Sequence, residues 1–149
     1  MLLKQVTVGL LLAVAATYST LAQESQAGAR ATMVRLIEFQ ISAIASETGI
    51  RRLDKNVLLA LQTGPRHIFV PPQLAAYAYD DRPLPLGMGQ NISQPFIIAL
   101  MTQLLQVKSG QVVLETGTGA GYHAAILAEL GATVFSVEVI EPLAVYATL

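Results

Sequence analysis

Residues 112–122 read VVLETGTGAGY, and this stretch decides the fold. An apolar strand comes first, and glycines then alternate through a loop before a helix at 122–130 and a second strand at 133–138. The order strand, glycine loop, helix, strand predicts a βαβ unit with parallel strands. Such units bind ligands at the carboxyl ends of their strands. We therefore predict an α/β protein with a Rossmann-like sheet and a ligand site at the glycine loop.

The residues around the loop indicate which ligand it binds. The dinucleotide fingerprint G-x-G-x-x-G would need a glycine where the chain has Tyr122. Glu115 lies two residues before the first glycine, where a carboxylate would repel a pyrophosphate but attract an ammonium group. Glu138 ends the second strand, where an acid can accept hydrogen bonds from ribose hydroxyls. S-adenosylmethionine has a ribose and an amino group but no phosphate, so the pattern favours it over NAD. The residues predicted to bind it are Glu115, Gly117, Gly119, Gly121 and Glu138.

The composition excludes several classes of function. A net charge of −1 gives no basic face for nucleic acid. The chain has no cysteine, which excludes disulfides, thiolate chemistry and cysteine-ligated zinc. Its two histidines have no metal-ligand spacing to carboxylates. His123 is predicted to lie on the surface of its helix, with a position toward the cofactor as the alternative. We predict neither a metal site nor a nucleic-acid partner.

Residues 1–22 have the composition of a secretory signal peptide. Lys4 supplies a positive start, the run VTVGLLLAVAAT follows, and the small residues Thr20 and Ala22 precede a polar segment. The apolar run is shorter than the roughly 20 residues of a membrane-spanning helix. We predict cleavage after Ala22 and a periplasmic or secreted protein. The alternatives are a membrane anchor, if the segment stays uncleaved, and a misassigned start. A cytoplasmic location is the alternative to export.

The rest of the chain divides into three regions. Residues 23–31 are small and polar, which predicts a flexible leader. Residues 32–110 form a helical and substrate-loop region, and residues 111–149 begin an S-adenosylmethionine-binding Rossmann-like domain.

Within the helical region, apolar residues at 33–44 recur at spacings of three and four, which predicts an amphipathic helix. Gly49 should end it, because glycine readily takes the left-handed conformation at a helix terminus. Asp54 should cap a second helix that Gly64-Pro65 breaks. Residues 67–72 are predicted to be extended.

Residues 80–94, DDRPLPLGMGQNISQ, contain turn-forming residues and almost no periodicity, which predicts a loop. A loop of this length inside a compact domain is usually functional. Ser93 is predicted to cap the following helix, 94–106. No His–Asp pair has a spacing that would activate Ser93 as a nucleophile.

Four segments resemble the protein-L-isoaspartate O-methyltransferase family in order and spacing. They are MVRLIEFQI with the later GI, NVLLALQTGPRHIFVP, AYAYDDRPLPLGMGQNISQPFIIALMTQLL, and VLETGTGAGYHAAILAELGATVFSVEVIEPLA. Residues 83–95 are the most specific part. The resemblance implies a class I methyltransferase fold and methyl transfer from S-adenosylmethionine to the free carboxylate of L-isoaspartyl residues in damaged proteins. The resulting ester would collapse through a succinimide toward normal aspartate.

The resemblance also implies roles for individual residues. Ser93 looks like the active-site serine, and because the acceptor carboxylate is already a nucleophile, we interpret it as an orienting hydrogen-bond donor. Gly117, Thr118, Gly119 and Glu138 look like cofactor contacts, with Gln90, Asn91 and Ile92 near the substrate and cofactor. The chain departs from the family's usual residues at Asn91 (threonine), Thr116 (aliphatic) and His123 (glutamine).

Members of the family continue for several more elements to a seven-stranded sheet, of which this chain is expected to contribute two strands. We expect an incomplete gene product rather than a short protein completed by another chain. The alternatives to a repair enzyme are an inactive fragment that at most binds cofactor or a partner, and a methyltransferase acting on a small molecule.

Overall fold

The computed structural model describes the backbone of residues 2–147 and the side chains of residues 23–147. Its elements in chain order are α1 (Leu2–Ala43), α2 (Ala45–Thr48), α3 (Lys55–Thr63), β1 (Leu84–Gly87), β2 (Gln90–Ile92), α4 (Pro95–Leu105), β3 (Val112–Thr116), α5 (Tyr122–Glu129), β4 (Thr133–Val137) and α6 (Glu141–Tyr146). Two 3-10 turns, Arg66–Phe69 and Pro72–Tyr77, lie between α3 and β1.

The side chains of the predicted signal peptide, residues 1–22, lie outside the described part of the chain, so the signal stays a prediction. Among the residues that were described, no helix has both the length and the apolar character to span a membrane.

The prediction of a flexible leader at residues 23–31 is wrong, because these residues are helical within α1. Alanine, glutamine and glutamate are good helix formers, and the single Gly28 costs only about 1 kcal/mol relative to alanine. Arg30 also ties this part of the helix to the rest of the chain. Its guanidinium donates to the Thr63 carbonyl and to the Tyr79 hydroxyl, both at 3.4 Å.

The amphipathic helix predicted at 33–44 is confirmed as the C-terminal part of α1, which ends at Ala43. Gly49 ends the short helix α2 with a φ of 73°. The core lies where α1, α3 and α4 meet. Each large apolar side chain buried there stabilises the fold by roughly 1.5–3 kcal/mol. The buried residues of these three helices in this core are Met33, Val34, Ile37, Ile41, Val57, Ala60, Leu61, Ile98 and Ala99.

Helix α3 begins and ends where the sequence predicts, but Asp54 does not cap it with its side chain. The Asp54 N–H donates to Gln103 Oε1 at 2.6 Å, and Gln103 Nε2 donates to Asp54 Oδ2 at 3.2 Å. This pairing ties the start of α3 to α4. At the other end, a Cβ on Gly64 would lie 2.8 Å from Ile126 Cδ1, so glycine permits close packing against α5.

Residues 67–72 are not uniformly extended, because Arg66–Phe69 forms a 3-10 turn. Pro65 precedes it with a φ of −81°, and the Ile68 N–H donates to the Pro65 carbonyl at 3.0 Å. A proline's fixed φ suits the start of such a turn. The chain becomes extended only at Val70 and Pro71.

The loop predicted at 80–94 contains a β-hairpin, which corrects that prediction. β1 and β2 pair antiparallel, with Leu84 opposite Ile92. Met88 and Gly89 both have positive φ, 52° and 71°. Positive φ at two central residues is the geometry of a tight hairpin turn. The strands escaped prediction because they are short, but Leu84 and Ile92 are both buried and fix the hairpin to the core.

Ser93 does not cap α4, because Gln94 occupies the N-cap position and makes no side-chain capping bond. The cap comes from Asp81 instead. Its Oδ1 accepts the Phe96 N–H at 2.9 Å, and its Oδ2 accepts the side-chain amides of Gln40 at 2.8 Å and Gln94 at 2.9 Å. A carboxylate far along the chain therefore satisfies the helix terminus and leaves the Ser93 hydroxyl available.

The βαβ unit is confirmed, with β3 and β4 parallel and in register from Val112 opposite Thr133 to Thr116 opposite Val137. Alternate side chains of a strand point to opposite faces. One face carries Glu115 and Ser136, which are direct partners in the register. The other face is exposed and apolar, with Val112, Leu114, Phe135 and Val137.

Candidate functional site

The glycine loop connects β3 to α5 through left-handed backbone positions. Gly117, Gly119 and Gly121 have φ values of 82°, 56° and 84°, a region that side chains with a Cβ rarely adopt. The loop is tied to β4, because the N–H groups of Gly117 and Thr118 donate to the Val137 carbonyl at 2.8 and 3.2 Å. A Cβ on Gly117 would meet no atom within 4 Å. The glycines therefore set the backbone path and leave open space above it.

A cleft of about 120 Å³ lies between the hairpin and this loop. It brings together seven of the predicted site residues. They are Asn91, Ile92, Ser93, Glu115, Gly117, Thr118 and Gly119. Ile98, Met101 and Tyr122 give the cleft its apolar walls.

Three predicted site residues lie outside this cleft. Gln90 is exposed in β2, opposite Gly87. Gly121 and Glu138 line a neighbouring cavity, which Thr118 also borders. Thr118 therefore lies between the cleft and the neighbouring cavity and lines both.

Glu138 is held by backbone donors at the end of β4. Its Oε2 accepts the Gly119 N–H at 2.8 Å, and its Oε1 accepts the N–H groups of Val139 at 2.9 Å and Ile140 at 3.0 Å. These bonds lower the pKa of Glu138, those from Ile140 and Gly119 most, and keep it ionised. Carboxylate oxygens have about four acceptor positions in all, so roughly one remains here for a ligand hydroxyl.

Glu115 lies in a chain of hydroxyl groups on the covered face of the sheet. The Ser136 hydroxyl donates to Glu115 Oε2 at 2.5 Å, and the Thr118 and Ser136 hydroxyl oxygens are 2.6 Å apart. Because Ser136 gives its one hydrogen to Glu115, Thr118 must be the donor to Ser136. Burial raises the pKa of Glu115, and the Ser136 bond lowers it in part.

His123 is a site residue that the sequence analysis missed. Its side chain is only 15% exposed, not on the surface as predicted, and its Nδ1 lies 3.5 Å from Glu115 Oε1. Its Nε2 is 3.2 Å from the Thr102 hydroxyl. Burial lowers the pKa of His123. Its position at the first turn of the helix after a glycine loop was the available signal, since such a residue faces the strand that carries Glu115.

Arg66 is the second residue that sequence reasoning missed. It is fully buried, its Nη2 donates to the Ser93 carbonyl at 2.7 Å, and its Nε donates to the Ala78 carbonyl at 2.8 Å. Its guanidinium also lies 4.9 Å from the centre of the Tyr122 ring. Burial lowers the pKa of Arg66 to about 10, so it stays cationic at neutral pH. Arg66 therefore fixes the backbone of Ser93 against the start of α5.

The Ser93 side chain faces solvent at the cleft, and no described residue hydrogen-bonds its hydroxyl. His123 is engaged with Thr102 and Glu115 rather than with Ser93. The described lining can therefore bind and orient a substrate, but it holds no activated nucleophile. Within residues 23–147, no group of three or more His, Asp and Glu side chains is placed to hold a metal ion.

Comparison with known proteins adds a family relationship. Residues 40–149 match the sequence model of the family described as protein-L-isoaspartate(D-aspartate) O-methyltransferase. Protein-L-isoaspartate O-methyltransferase 1 of Cupriavidus necator is 48% identical over 124 residues, which are 83% of this chain and 48% of the relative. Protein-L-isoaspartate O-methyltransferase 2 of Syntrophobacter fumaroxidans is 51% identical over 83% of this chain and 50% of the relative. The chain thus spans about half the length of the curated relatives it matches.

Two solved structures have similar folds, each with a TM-score of 0.56 and each covering 74% of this chain. One is a protein-L-isoaspartate O-methyltransferase, 25% identical and matched over 37% of its own chain. The other is a Plasmodium falciparum protein assigned to the same activity and solved with S-adenosyl-L-homocysteine, 21% identical and matched over 52% of its chain. The fold is therefore that of a Rossmann-like class I methyltransferase, represented here by the N-terminal helices, the hairpin and two parallel strands.

Proposed function

The chain belongs to the protein-L-isoaspartate(D-aspartate) O-methyltransferase family, and on that premise we propose that it methylates the free carboxylate of L-isoaspartyl residues in damaged proteins. S-adenosylmethionine would supply the methyl group. The single observation that carries the proposal is the cleft that Asn91 of the hairpin and Ser93, just after it, line together with Glu115 and the glycine loop.

The residues present fit S-adenosylmethionine. Gly117 leaves open space beside the backbone, where a side chain would stand in the way of a ligand. Glu115 offers a carboxylate for the ammonium group of the methionine moiety, and Glu138 keeps room to accept a ribose hydroxyl. Glu115 lines the cleft, Glu138 lines the neighbouring cavity, and Thr118 borders both. One S-adenosylmethionine molecule that contacts both carboxylates would therefore have to extend over Thr118. When bound, S-adenosylmethionine supplies a methyl group on a sulfonium, ready for direct displacement.

The protein's part in such a reaction would be alignment. An isoaspartyl carboxylate is itself the nucleophile, so no general base is required to activate it. The Ser93 hydroxyl and the Asn91 amide are free to donate hydrogen bonds that orient the acceptor. Ile98, Met101 and Tyr122 would exclude water from the methyl group. Holding the acceptor carboxylate and the methyl group in position in this way would speed the reaction by proximity and orientation.

The hairpin's role is tested by the double variant Asn91→Ala with Ser93→Ala. Both side chains are exposed, so the variant should fold as the wild type does. We expect methyl transfer to an isoaspartyl peptide to fall at least about tenfold, because two orienting hydrogen bonds are lost. Affinity for S-adenosylmethionine should stay within about threefold, because neither residue belongs to the glycine loop.

The measurement is base-labile methyl incorporation from labelled S-adenosylmethionine, with calorimetry for cofactor affinity. Met88→Ala is the matched control, because Met88 is exposed at the hairpin turn and does not line the cleft. Unchanged transfer in the double variant would show that the hairpin does not hold the acceptor.

A second candidate is binding of S-adenosylmethionine without methylation of a peptide, because Glu115, Glu138 and the glycine loop offer contacts to the cofactor alone. Cofactor binding with no methyl incorporation, beside an active C-terminally extended version, would favour this candidate.

A further inference from the structure

The hydrogen bonds of Thr102 determine which nitrogen of His123 carries a proton. Thr102 is buried, and its hydroxyl donates to the Ile98 carbonyl at 2.7 Å. A hydroxyl has one hydrogen, so the Thr102 oxygen can only accept from His123 Nε2, 3.2 Å away. His123 is therefore protonated at Nε2.

In this tautomer the unprotonated ring nitrogen, Nδ1, is the one that faces a carboxylate. His123 Nδ1 lies 3.5 Å from Glu115 Oε1, and the two side chains are 15% and 11% exposed. If neither group carried a further proton, the Nδ1 lone pair would face a carboxylate oxygen in a poorly solvated site. One proton on either group removes that repulsion, as a neutral carboxyl facing Nδ1 or as an imidazolium facing a carboxylate.

The surrounding elements bring few other charges to this pair. Helix α4, strand β4 and the hairpin strands contain no titratable residue. Tyr122 stays neutral, because burial raises its pKa to about 12. Glu138, at the end of β4, is bound to the Gly119 N–H, and Arg66 is engaged with two backbone carbonyls under the Tyr122 ring. Glu115 and His123 are thus the titrating groups of the cleft itself.

We infer that His123 is a positioning residue that controls the charge of Glu115 by sharing one proton with it, and that binding of the cationic cosubstrate releases this proton. The inference rests on the proposed function, because it takes S-adenosylmethionine as the ligand. With its proton, the pair is neutral overall and attracts a cation weakly. Without it, the pair carries one negative charge that the ammonium group can neutralise in place of the proton.

Burial raises the pKa of Glu115 and lowers that of His123, so both shifts oppose the doubly charged form of the pair. The neutral pair and the ion pair hold the same single proton, so either form releases one proton when the ammonium group takes its place. By linkage, a proton released on binding means that affinity rises as pH rises. The rise is about tenfold per pH unit on the acid side of the pair's titration and levels off above it.

Calorimetry of S-adenosylmethionine binding at several pH values across the pair's titration, in two buffers of different ionisation enthalpy, counts the protons released. We expect close to one proton for the wild type on the acid side of the titration. We expect fewer for His123→Gln, because a glutamine amide can donate to Glu115 and stabilise the carboxylate without a proton. His67→Gln is the matched control. His67 contacts the Tyr79 hydroxyl at 2.7 Å and lies outside the cleft, so its replacement should leave the release unchanged.

Nitrogen chemical shifts of the wild-type imidazole rings report which ring nitrogen carries a proton, and they require no substitution in the cleft. The chain has only two histidines, so His67→Gln also assigns the spectrum. We expect His123 to be protonated at Nε2, and a neutral ring protonated at Nδ1 would overturn the inference. Equal proton release in the wild type and His123→Gln would overturn it as well. A wild-type chain that binds no S-adenosylmethionine would contradict the proposed function and this inference together.

Discussion

The variant Gly119→Val is expected to lower the affinity for S-adenosylmethionine at least about hundredfold, which is about 2.7 kcal/mol of binding free energy. Gly119 lines the cleft with a φ of 56°, which valine adopts only under strain. A Cβ there would lie 3.6 Å from Leu86 Cδ1, and the further methyl groups of valine would crowd either Leu86 or the cleft that Gly119 lines. The strain would also displace the N–H that donates to Glu138.

Calorimetric titration measures this effect, and Gly110→Val separates it from backbone strain alone. Gly110 has a φ of 81°, a Cβ there would meet no atom within 4 Å, and the residue lies outside the cleft. We expect Gly110→Val to lose some stability but to bind with nearly wild-type affinity. Wild-type affinity in Gly119→Val would show that the glycine loop is not the cofactor site.

The variant Arg66→Met is expected to lower the free energy of unfolding by about 3 kcal/mol. Methionine can fill much of the space but donates no hydrogen bond. The carbonyls of Ala78 and Ser93 would lose the donors they have now, and the contact with the Tyr122 ring would lose its charge. Buried acceptors left without a donor cost roughly 1–3 kcal/mol each.

Urea unfolding measures this loss, with Arg82→Met as the control. Arg82 also lies over a tyrosine ring, 5.4 Å from the centre of Tyr77, but its ion pair with Asp80 is about half exposed, at 50% and 49%. Exposed pairs of this kind contribute below about 1 kcal/mol. Equal losses of unfolding free energy in the two variants would mean that the burial of Arg66 and its two hydrogen bonds to carbonyls contribute nothing to stability.

The sequence was most informative where local pattern and tertiary packing agree. The βαβ unit could be predicted because apolar strands lie on either side of alternating glycines. Glycines at this spacing are typical of a loop with left-handed backbone positions. The start and end of α3 were also predicted correctly, from Asp54 and Gly64. These features depend on residues close together in the chain.

The features that escaped prediction depend on distant residues. Ser93 has a suitable side chain for a cap, yet Asp81 binds the helix terminus from 15 positions away. The hairpin at 84–92 is fixed by burial of Leu84 and Ile92 rather than by strand-forming composition. The placement of His123 depends on α5 packing beside β3, which brings its Nδ1 to Glu115, and on α4, which brings Thr102 to its Nε2.

The proposed function requires this cleft to place an isoaspartyl carboxylate beside the methyl group of S-adenosylmethionine. The most direct test gives the wild-type chain methyl-labelled S-adenosylmethionine and two peptides that differ only in one isoaspartyl or aspartyl linkage. The measured quantity is base-labile methyl ester on each peptide. Label on the isoaspartyl peptide alone is the result we predict. Equal label on both peptides, or none on the isoaspartyl peptide although the cofactor binds, would contradict the proposed function.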